Sequence, residues 1–319
     1  MIKLINFILA AVFATSALAW EPTKPIEALI GFAPGSVNEL TLRILAKEVE
    51  QNTGAKFVVL NRGGAGGVIA TEELSKRPGD GLSISVLSTP GLAAMDKVTV
   101  RGEGRSYTTD SFAYPLITAE TAFVIATKPT NAVTTVKQFV NSLKTDKASV
   151  AASGGARLVY EALSAKLKFN EGATGIVRVD HKGPVDALTD VVNGTVTYAI
   201  VPAPVANAFY KDNKIRIIAV STNFALKQFP GVPTLASELP GFSEPSNWVL
   251  ALPASTPAEI VDWYTREFTR ALHSDAVKAL YNENLLVERT DLTNSSLTKK
   301  WIQSREKQWE PLVNTVLSK

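Results

Sequence analysis

The sequence alternates between short β-type runs and stretches with helical spacing along nearly its whole length. After residue 25, the runs that predict strands lie at residues 26–32, 57–60, 82–87, 122–126, 148–152, 197–201, 215–221 and 248–252. Helical stripes fall between them, such as Leu40, Ile44 and Leu45 after the first run. This order is typical of βαβ units and predicts an α/β fold with a mainly parallel sheet.

The length of the chain favours two such units. A chain of 319 residues is long for one hydrophobic core and suits two domains of about 150 residues each. The order of elements predicts that the chain leaves domain 1 near residue 122, builds domain 2 over residues 123–221, and then returns. Domain 1 would then be discontinuous, comprising residues 20–122 and 222–319, and the two crossovers would form a hinge. The alternative is one doubly wound sheet, because it would show the same alternation.

The amino end has the features of a secretory signal. Lys3 precedes the apolar residues 5–14, and the small residues Ala17 and Ala19 follow them. We therefore expect residues 1–19 to be a cleaved secretory signal peptide that exports the protein. The alternative is an uncleaved membrane anchor, but the apolar stretch is shorter than the ~20 residues that span a bilayer.

Charge and cysteine content exclude several classes of partner and site. The formal net charge is +3, and it falls to +2 when Lys3 leaves with the signal peptide, so we expect no nucleic acid or membrane surface as partner. The chain has no cysteine, which excludes disulfides, thiolate metal sites, a thiol nucleophile and a lipidated cysteine. We expect a freely diffusing monomer.

Signals for catalysis are few. The two histidines, His181 and His273, lie far apart, and neither a His-Glu-x-x-His nor a Gly-x-Ser-x-Gly motif occurs. A glycine-rich turn at residues 61–67 fails the dinucleotide fingerprint, because Ile69 stands where the third glycine is needed. We predict no catalytic residue, no metal and no cofactor. His181 lies in a loop of mixed charge and is either an ordinary loop histidine or part of a ligand cleft.

The turn after the first strand is a candidate anion site. Its candidate residues are Phe32, Ala33, Pro34, Gly35, Ser36 and Asn38. Ligands of open α/β sheets bind at the carboxyl ends of strands, where a helix amino terminus exposes unpaired amides and a partial positive charge. The alternative is a capping box, in which Ser36 and Glu39 use those donors themselves. Glu39 would also repel a carboxylate if it faced the pocket.

A second candidate site follows the strand at residues 148–152, in the turn of Ser153, Gly154 and Gly155. Arg157 falls in the first turn of the next helix, where a cation opposes the helix dipole by ~0.3 to 1 kcal/mol. Either a bound carboxylate compensates Arg157 through bidentate hydrogen bonds, or a protein acid does so in a salt bridge. The residue pattern is compatible with both.

A set of short motifs runs in order through the mature chain. They are Phe32-Ala33-Pro34-Gly35, Asn61-Arg62 with Gly64-Ala65-Gly66-Gly67, Asp80-Gly81, Lys182-Gly183 with Ala187-Leu188-Thr189-Asp190, Val232-Pro233-Thr234, and Trp248 with Pro253. Taken together, the set resembles the receptors of tripartite tricarboxylate transporters, which are also called Bug proteins.

The resemblance implies a type II periplasmic binding protein fold, in which two α/β domains joined by a two-crossover hinge close on a ligand in the cleft, without a cofactor. It also implies that amides and waters at residues 32–38 and 153–157 hold a ligand carboxylate. The expected ligand is a di- or tricarboxylate, an amino acid or an aromatic acid, and the expected partners are the transporter's membrane subunits. Two departures concern the site: Ser36 replaces a glycine, and the loop at Ser153 is shorter and lacks the customary histidine.

Two other functions fit the same pattern. One is a secreted α/β hydrolase that acts on a small acid, and the other is a ligand receptor for a signalling partner. Neighbouring genes for multi-spanning membrane subunits would favour transport, whereas an adjacent sensor kinase gene would favour signalling.

Overall fold

The computed structural model describes residues 20–99, 105–145, 147–169 and 175–318. The predicted signal peptide at residues 1–19 lies outside these ranges. Within them, strands and helices alternate as the sequence pattern predicts.

The strands are β1 (Ile26–Ile30), β2 (Phe57–Asn61), β3 (Ser83–Ser88), β4 (Phe112–Ala113), β5 (Ile117–Thr127), β6 (Ala148–Ala151), β7 (Ile176–Val179), β8 (Tyr198–Pro202), β9 (Arg216–Val220) and β10 (Pro245–Pro253). The helices are α1 (Val37–Thr53), α2 (Val68–Ser75), α3 (Asp96–Thr99), α4 (Val136–Thr145), α5 (Ala156–Leu167), α6 (Pro184–Asn193), α7 (Ala203–Lys211), α8 (Ala258–Leu272), α9 (Asp275–Glu283) and α10 (Ser295–Leu317).

The strands form one mixed sheet in the order β2-β1-β3-β10-β5-β8-β6-β7, with β4 beside β10 and β9 beside β5. β1 pairs in parallel with β2 and β3, and β6 pairs in parallel with β7 and β8. β5 and β10 run antiparallel to their neighbours. The prediction of a mainly parallel sheet is therefore wrong in the middle of the sheet, because the long strands that join its two halves run in the opposite direction.

β5 belongs to both halves of the sheet. Its first part, up to Ala122, pairs with β10, and its second part, from Phe123, pairs with β8 and β9. The first half of the molecule is thus built on β1, β2, β3 and β10, and the second half on β6, β7, β8 and β9. The placement of a domain boundary at residue 122 stays a proposal.

The segment between β9 and β10 bears on the point at which the chain returns from the second half to the first. The prediction assigns residues 222–244 to the first domain, but apolar side chains of this segment pack into the second half. Phe229 lies in an apolar cluster with Val201, and Phe242 lies in a cluster with Phe139. These contacts favour a later return than the predicted one near residue 221, because the proline- and glycine-rich segment after β9 carries apolar side chains that are buried in the second half. We propose instead that the chain returns with β10, at residue 245.

Helices cover both faces of each half of the sheet. In the first half, α1 and α8 pack on one face through residues such as Leu45, and α2 and α10 pack on the other through Ile302. In the second half, α4 and α5 cover one face through Phe139, and α6 and α7 cover the other through Leu188. The turns before α1, α5 and α6 face the gap between the two halves.

The last helix, α10, also contacts the second half. Trp309 and Val313 share an apolar cluster with Leu158 of α5 and with Met95. The Trp309 indole Nε1 donates a hydrogen bond of 3.2 Å to Glu244. α10 therefore links the two halves in addition to the chain crossings. None of the described helices is both long and apolar enough to cross a membrane.

Candidate functional site

A cavity of about 70 Å³, which we call the inner cavity, lies between the two halves. The first half contributes the turn before α1 and side chains of β3 and β10, and the second half contributes the starts of α5 and α6 and the end of β8. One water needs ~10–15 Å³ of such space. The inner cavity can therefore receive more than one water or the head group of a small ligand.

The turn between β1 and α1 satisfies some of its own amides. Gly35 has a left-handed φ of 85°, which directs its amide back towards the first turn of α1. That amide donates to Glu39 Oε2 at 3.0 Å, and the Ser36 amide donates to the Ala33 carbonyl at 3.2 Å. Ser36 Oγ accepts from the Glu39 amide at 3.4 Å. The capping interpretation therefore holds for part of the turn.

The first two amides of α1 stay available. Val37 and Asn38 occupy helix positions whose amides have no acceptor inside the helix, and no other described group accepts from them. Both residues line the inner cavity. α1 can therefore still present two donors and its positive end to an anion.

The Glu39 carboxylate stays ionised beside this turn, and groups of the protein compensate its negative charge. Burial would raise the pKa of Glu39, but hydrogen bonds from Arg43, the Gly35 amide and Asn61 outweigh burial and hold the pKa below its ordinary value. Arg43 Nε lies 2.7 Å from Glu39 Oε1. The negative charge is thus compensated within the turn.

The Asn38 side chain connects two parts of the cavity wall through hydrogen bonds. Its Nδ2 donates to the Val86 carbonyl at 2.6 Å, and its Oδ1 accepts from Trp248 Nε1 at 3.0 Å. Both ends of the side-chain amide are therefore used within the protein. The Asn38 side chain positions the Trp248 ring on the cavity wall, and its backbone amide is the group left for a ligand.

The start of α5 faces the turn before α1 from the second half. Gly155 is the N-cap of α5 and provides no side-chain cap. The amides of Gly154 and Gly155 donate to no described group. Ser153 Oγ accepts from the His181 amide at 2.7 Å and so ties this turn to the loop before α6.

Arg157 is compensated by a protein acid. Its Nε lies 3.1 Å from Glu161 Oε1, one helical turn further on, and both side chains are largely buried. Of the two interpretations of Arg157, the structure favours the salt bridge. Arg157 does not line the inner cavity but a larger neighbouring one.

His181 lines the inner cavity with only 8% of its side chain exposed. Its Nε2 lies 2.9 Å from Asp190 Oδ2, which holds the ring in place. Its Nδ1 is buried and has no hydrogen-bond partner among the described residues. Because a buried polar atom without a partner is costly, Nδ1 is a position where a ligand or a water would add a hydrogen bond.

The loop before α6 brings a lysine to the same cavity. Lys182 is exposed and lines both the inner cavity and the neighbouring one. Two acids of the same region are engaged elsewhere, Asp180 with Arg178 and Asp190 with His181. α6 follows, and its N-cap, Gly183, provides no side-chain cap. A cation and a third helix terminus thus meet at one wall, and this terminus, like that of α5, has no side-chain cap.

The remaining wall is mainly apolar. Phe123 of β5, Ile200 and Pro202 of β8 and Trp248 of β10 line it. Ser246 interrupts this surface: it is 1% exposed, and its Oγ has no hydrogen-bond partner within the described part of the chain. The wall suits the apolar body of a ligand and offers one hydroxyl to it.

A second cavity of about 700 Å³, the outer cavity, adjoins the first. Five residues line both cavities: Phe32, Gly66, Ser153, His181 and Lys182. Close backbone contact between the two halves separates them, because a Cβ placed on Gly66 would lie 3.2 Å from Gly154 Cα. The two cavities are therefore neighbours that meet where the halves come close, and the outer one is the larger. Among the described residues, no group of three or more His, Asp or Glu side chains could hold a metal ion.

A family model described as the tripartite tricarboxylate transporter family receptor matches residues 41–317. The chain belongs to this family. The receptor is therefore a solute-binding protein and not an enzyme, as the sequence predicts, and the hydrolase alternative is set aside.

Relatives and solved structures agree with this assignment. BugT of Bordetella pertussis is 26% identical to the receptor, over 80% of this chain and 78% of BugT. MatC from Rhodopseudomonas palustris with bound malate has a TM-score of 0.82 at 22% identity, covering 92% of this chain and 100% of that one. R. palustris Rpa4515 with adipate has a TM-score of 0.83 at 22% identity, covering 92% and 98%. These likenesses show the type II periplasmic binding protein fold.

The predicted site residues are divided between the two cavities. Phe32, Ser36, Asn38, Ser153, Gly155 and His181 line the inner cavity. Ala33, Gly154 and Arg157 line only the outer cavity. Pro34 and Gly35 line neither, and the Gly35 amide, expected as a ligand donor, is occupied by Glu39. The Gly35 amide is therefore engaged within the turn, and we do not include it among the donors proposed for the ligand.

Several residues of the inner cavity are not predicted as ligand contacts from the sequence. They include Lys182, Phe123, Pro202, Ser246 and Trp248. Lys182 had a local signal, since it directly precedes a helix start of the form Gly-Pro, where an anion would be expected. Ser246 and Phe123 had none, because they reach the cavity from strands whose partners are distant in sequence.

Proposed function

We propose that this receptor captures a small carboxylate in the inner cavity and delivers it to the membrane subunits of a tripartite tricarboxylate transporter. The observation that carries the proposal is the meeting of three helix amino termini, those of α1, α5 and α6, at one cavity between the two halves. Helix termini of this kind bind anions through unpaired amides and partial positive charge. The malate and adipate in two solved structures of the same fold support this ligand class.

We propose particular roles for the groups around the cavity. The amides of Val37, Asn38 and Gly155 would receive the carboxylate, and Lys182 would add a charge-assisted hydrogen bond. His181 Nδ1 and Ser246 Oγ, both buried without partners in the described chain, would contact other polar atoms of the ligand. The two halves would close about the crossings at residues 122 and 245.

The setting of the receptor is also a proposal. Removal of residues 1–19 would release a mature protein that starts at Trp20 in the periplasm. We propose that it acts as a monomer and does not bind nucleic acid. Mass measurement of the exported protein tests the cleavage, and a retained Met1 would contradict it.

A melting-temperature survey of the mature protein tests the ligand class. A ligand that binds the folded protein alone adds about 2.7 kcal/mol of stability at a hundredfold excess over its Kd. For a chain of this size, we therefore expect at least one small carboxylate to raise the melting temperature by roughly 5 °C. Sugars and simple amines are the controls. The proposal would be overturned if a sugar or an amine raised the melting temperature and no carboxylate did.

A further inference from the structure

The groups that face the inner cavity give it a positive potential. Each of α1, α5 and α6 places the equivalent of about half a positive charge at its amino end, and all three helices begin at the cavity wall. Lys182 adds a full charge at the same wall. Because the cavity lies between the two halves and its wall is partly apolar, these charges are screened less than they would be in bulk water.

Three of the acids near the cavity are engaged by other groups, and a fourth, Asp186 in the first turn of α6, does not line the inner cavity. Asp190 is paired with His181, and Asp180 is paired with Arg178. Glu39 is engaged by Arg43 and by the Gly35 amide. Among the described residues that line the inner cavity, none has an acidic side chain.

An amino acid would have to bring an ammonium group into this field. The nitrogen and the carboxyl carbon of an α-amino acid are both bonded to the same Cα, so they lie only about 2.5 Å apart. A carboxylate at the three helix termini therefore fixes the ammonium beside the same positive ends and beside Lys182. Buried cations need a paired acid or several acceptors to offset the loss of water.

We infer that this receptor selects carboxylates that lack an ammonium group and that carry a hydrocarbon or aromatic body. The inference rests on the proposed function and narrows its ligand class, since amino acids are excluded. Phe123, Ile200, Pro202 and Trp248 supply the surface on which an apolar body packs. Ser246 lies within that surface, and its buried Oγ has no hydrogen-bond partner in the described chain.

Pairs of ligands that differ only in the amine test the inference by calorimetric titration of the mature protein. Suitable pairs are succinate and aspartate, glutarate and glutamate, hexanoate and 2-aminohexanoate, and 3-phenylpropanoate and phenylalanine. In each pair that binds, we expect the amine to weaken binding at least about tenfold. An amino acid that binds within threefold of its partner, or more tightly, overturns the inference and leaves the carboxylate proposal standing. Failure of every carboxylate, with binding of a sugar or amine instead, overturns both.

Two variants of Ser36 test whether the positive potential is the cause. Asparagine and aspartate are both good helix N-caps, so Ser36→Asn and Ser36→Asp should fold alike. Ser36 lines the cavity, and only the aspartate adds a negative charge there. We expect the weakening caused by the amine to be at least threefold smaller in Ser36→Asp than in Ser36→Asn. Equal weakening in the two variants would contradict an electrostatic origin and overturn the inference.

Discussion

Gly155→Val is expected to weaken carboxylate binding by up to roughly 100-fold while the ligand-free protein stays folded. Gly155 has φ −60° and ψ −28°, which any residue adopts, so valine adds no backbone strain. A Cβ at this position would lie 2.7 Å from Ser88 Oγ and 3.4 Å from Pro90 Cβ, both in the other half. Overpacking of this kind costs about 1–3 kcal/mol, and the cost applies to the closed arrangement. Calorimetric titration and melting temperature measure the two effects separately.

Two further variants control this prediction. Gly63→Ala changes a glycine at the outer cavity where a Cβ would meet its nearest atom at an ordinary 3.7 Å, so we expect binding within about twofold of wild type. Gly155→Ala should have an intermediate effect, which Ser88→Ala should partly reverse because it removes the nearest atom. Wild-type affinity in Gly155→Val would show that the halves need not approach each other to hold the ligand.

Lys182→Met is expected to weaken carboxylate binding by roughly tenfold. A hydrogen bond to a charged group contributes about 1.5–3 kcal/mol, and the exposure of Lys182 places it at the lower end of that range. Methionine keeps the unbranched apolar stem and removes the charge. Titration at low and high salt provides a second measurement, because added salt should weaken binding more in wild type than in the variant.

Two cations elsewhere serve as controls for Lys182. Lys211→Met removes an exposed lysine at the end of α7, which does not line either cavity, and should leave affinity unchanged. Arg157→Ala removes a cation that Glu161 already compensates, so we expect a loss of no more than about threefold. A tenfold loss in Arg157→Ala with no loss in Lys182→Met would assign the carboxylate to the outer cavity instead.

Local sequence signals found the parts of the site that lie next to each other along the chain. The turns at residues 32–36 and 153–155 could be predicted, because each joins a strand to the helix after it. The pairing of Arg157 with Glu161 could also be predicted, since Glu161 lies four residues further along the same helix, where opposite charges pair. The choice between ligand and protein acid needed the structure, because sequence spacing gives no information on what lies across the gap.

The rest of the candidate site depends on pairing between strands that are distant in sequence. Trp248 reaches the cavity because β10 pairs with both β3 and β5, and Asn38 then fixes its ring. The hydrogen bond from the Gly35 amide to Glu39 accompanies a left-handed φ at Gly35, and composition does not reveal that backbone angle. The proposed return of the chain at β10 has no sequence signal for a similar reason, because apolar residues such as Phe242 do not indicate which half buries them.

The structure of the receptor with its bound carboxylate tests the central claim most directly. We predict carboxylate oxygens within about 3.2 Å of the amide nitrogens of Val37, Asn38 or Gly155, with the Lys182 ammonium as a further donor. The apolar part of the ligand should lie against Phe123 and Trp248. A ligand held in the outer cavity with its carboxylate on Arg157, or a carboxylate directed away from all three helix termini, would contradict the account.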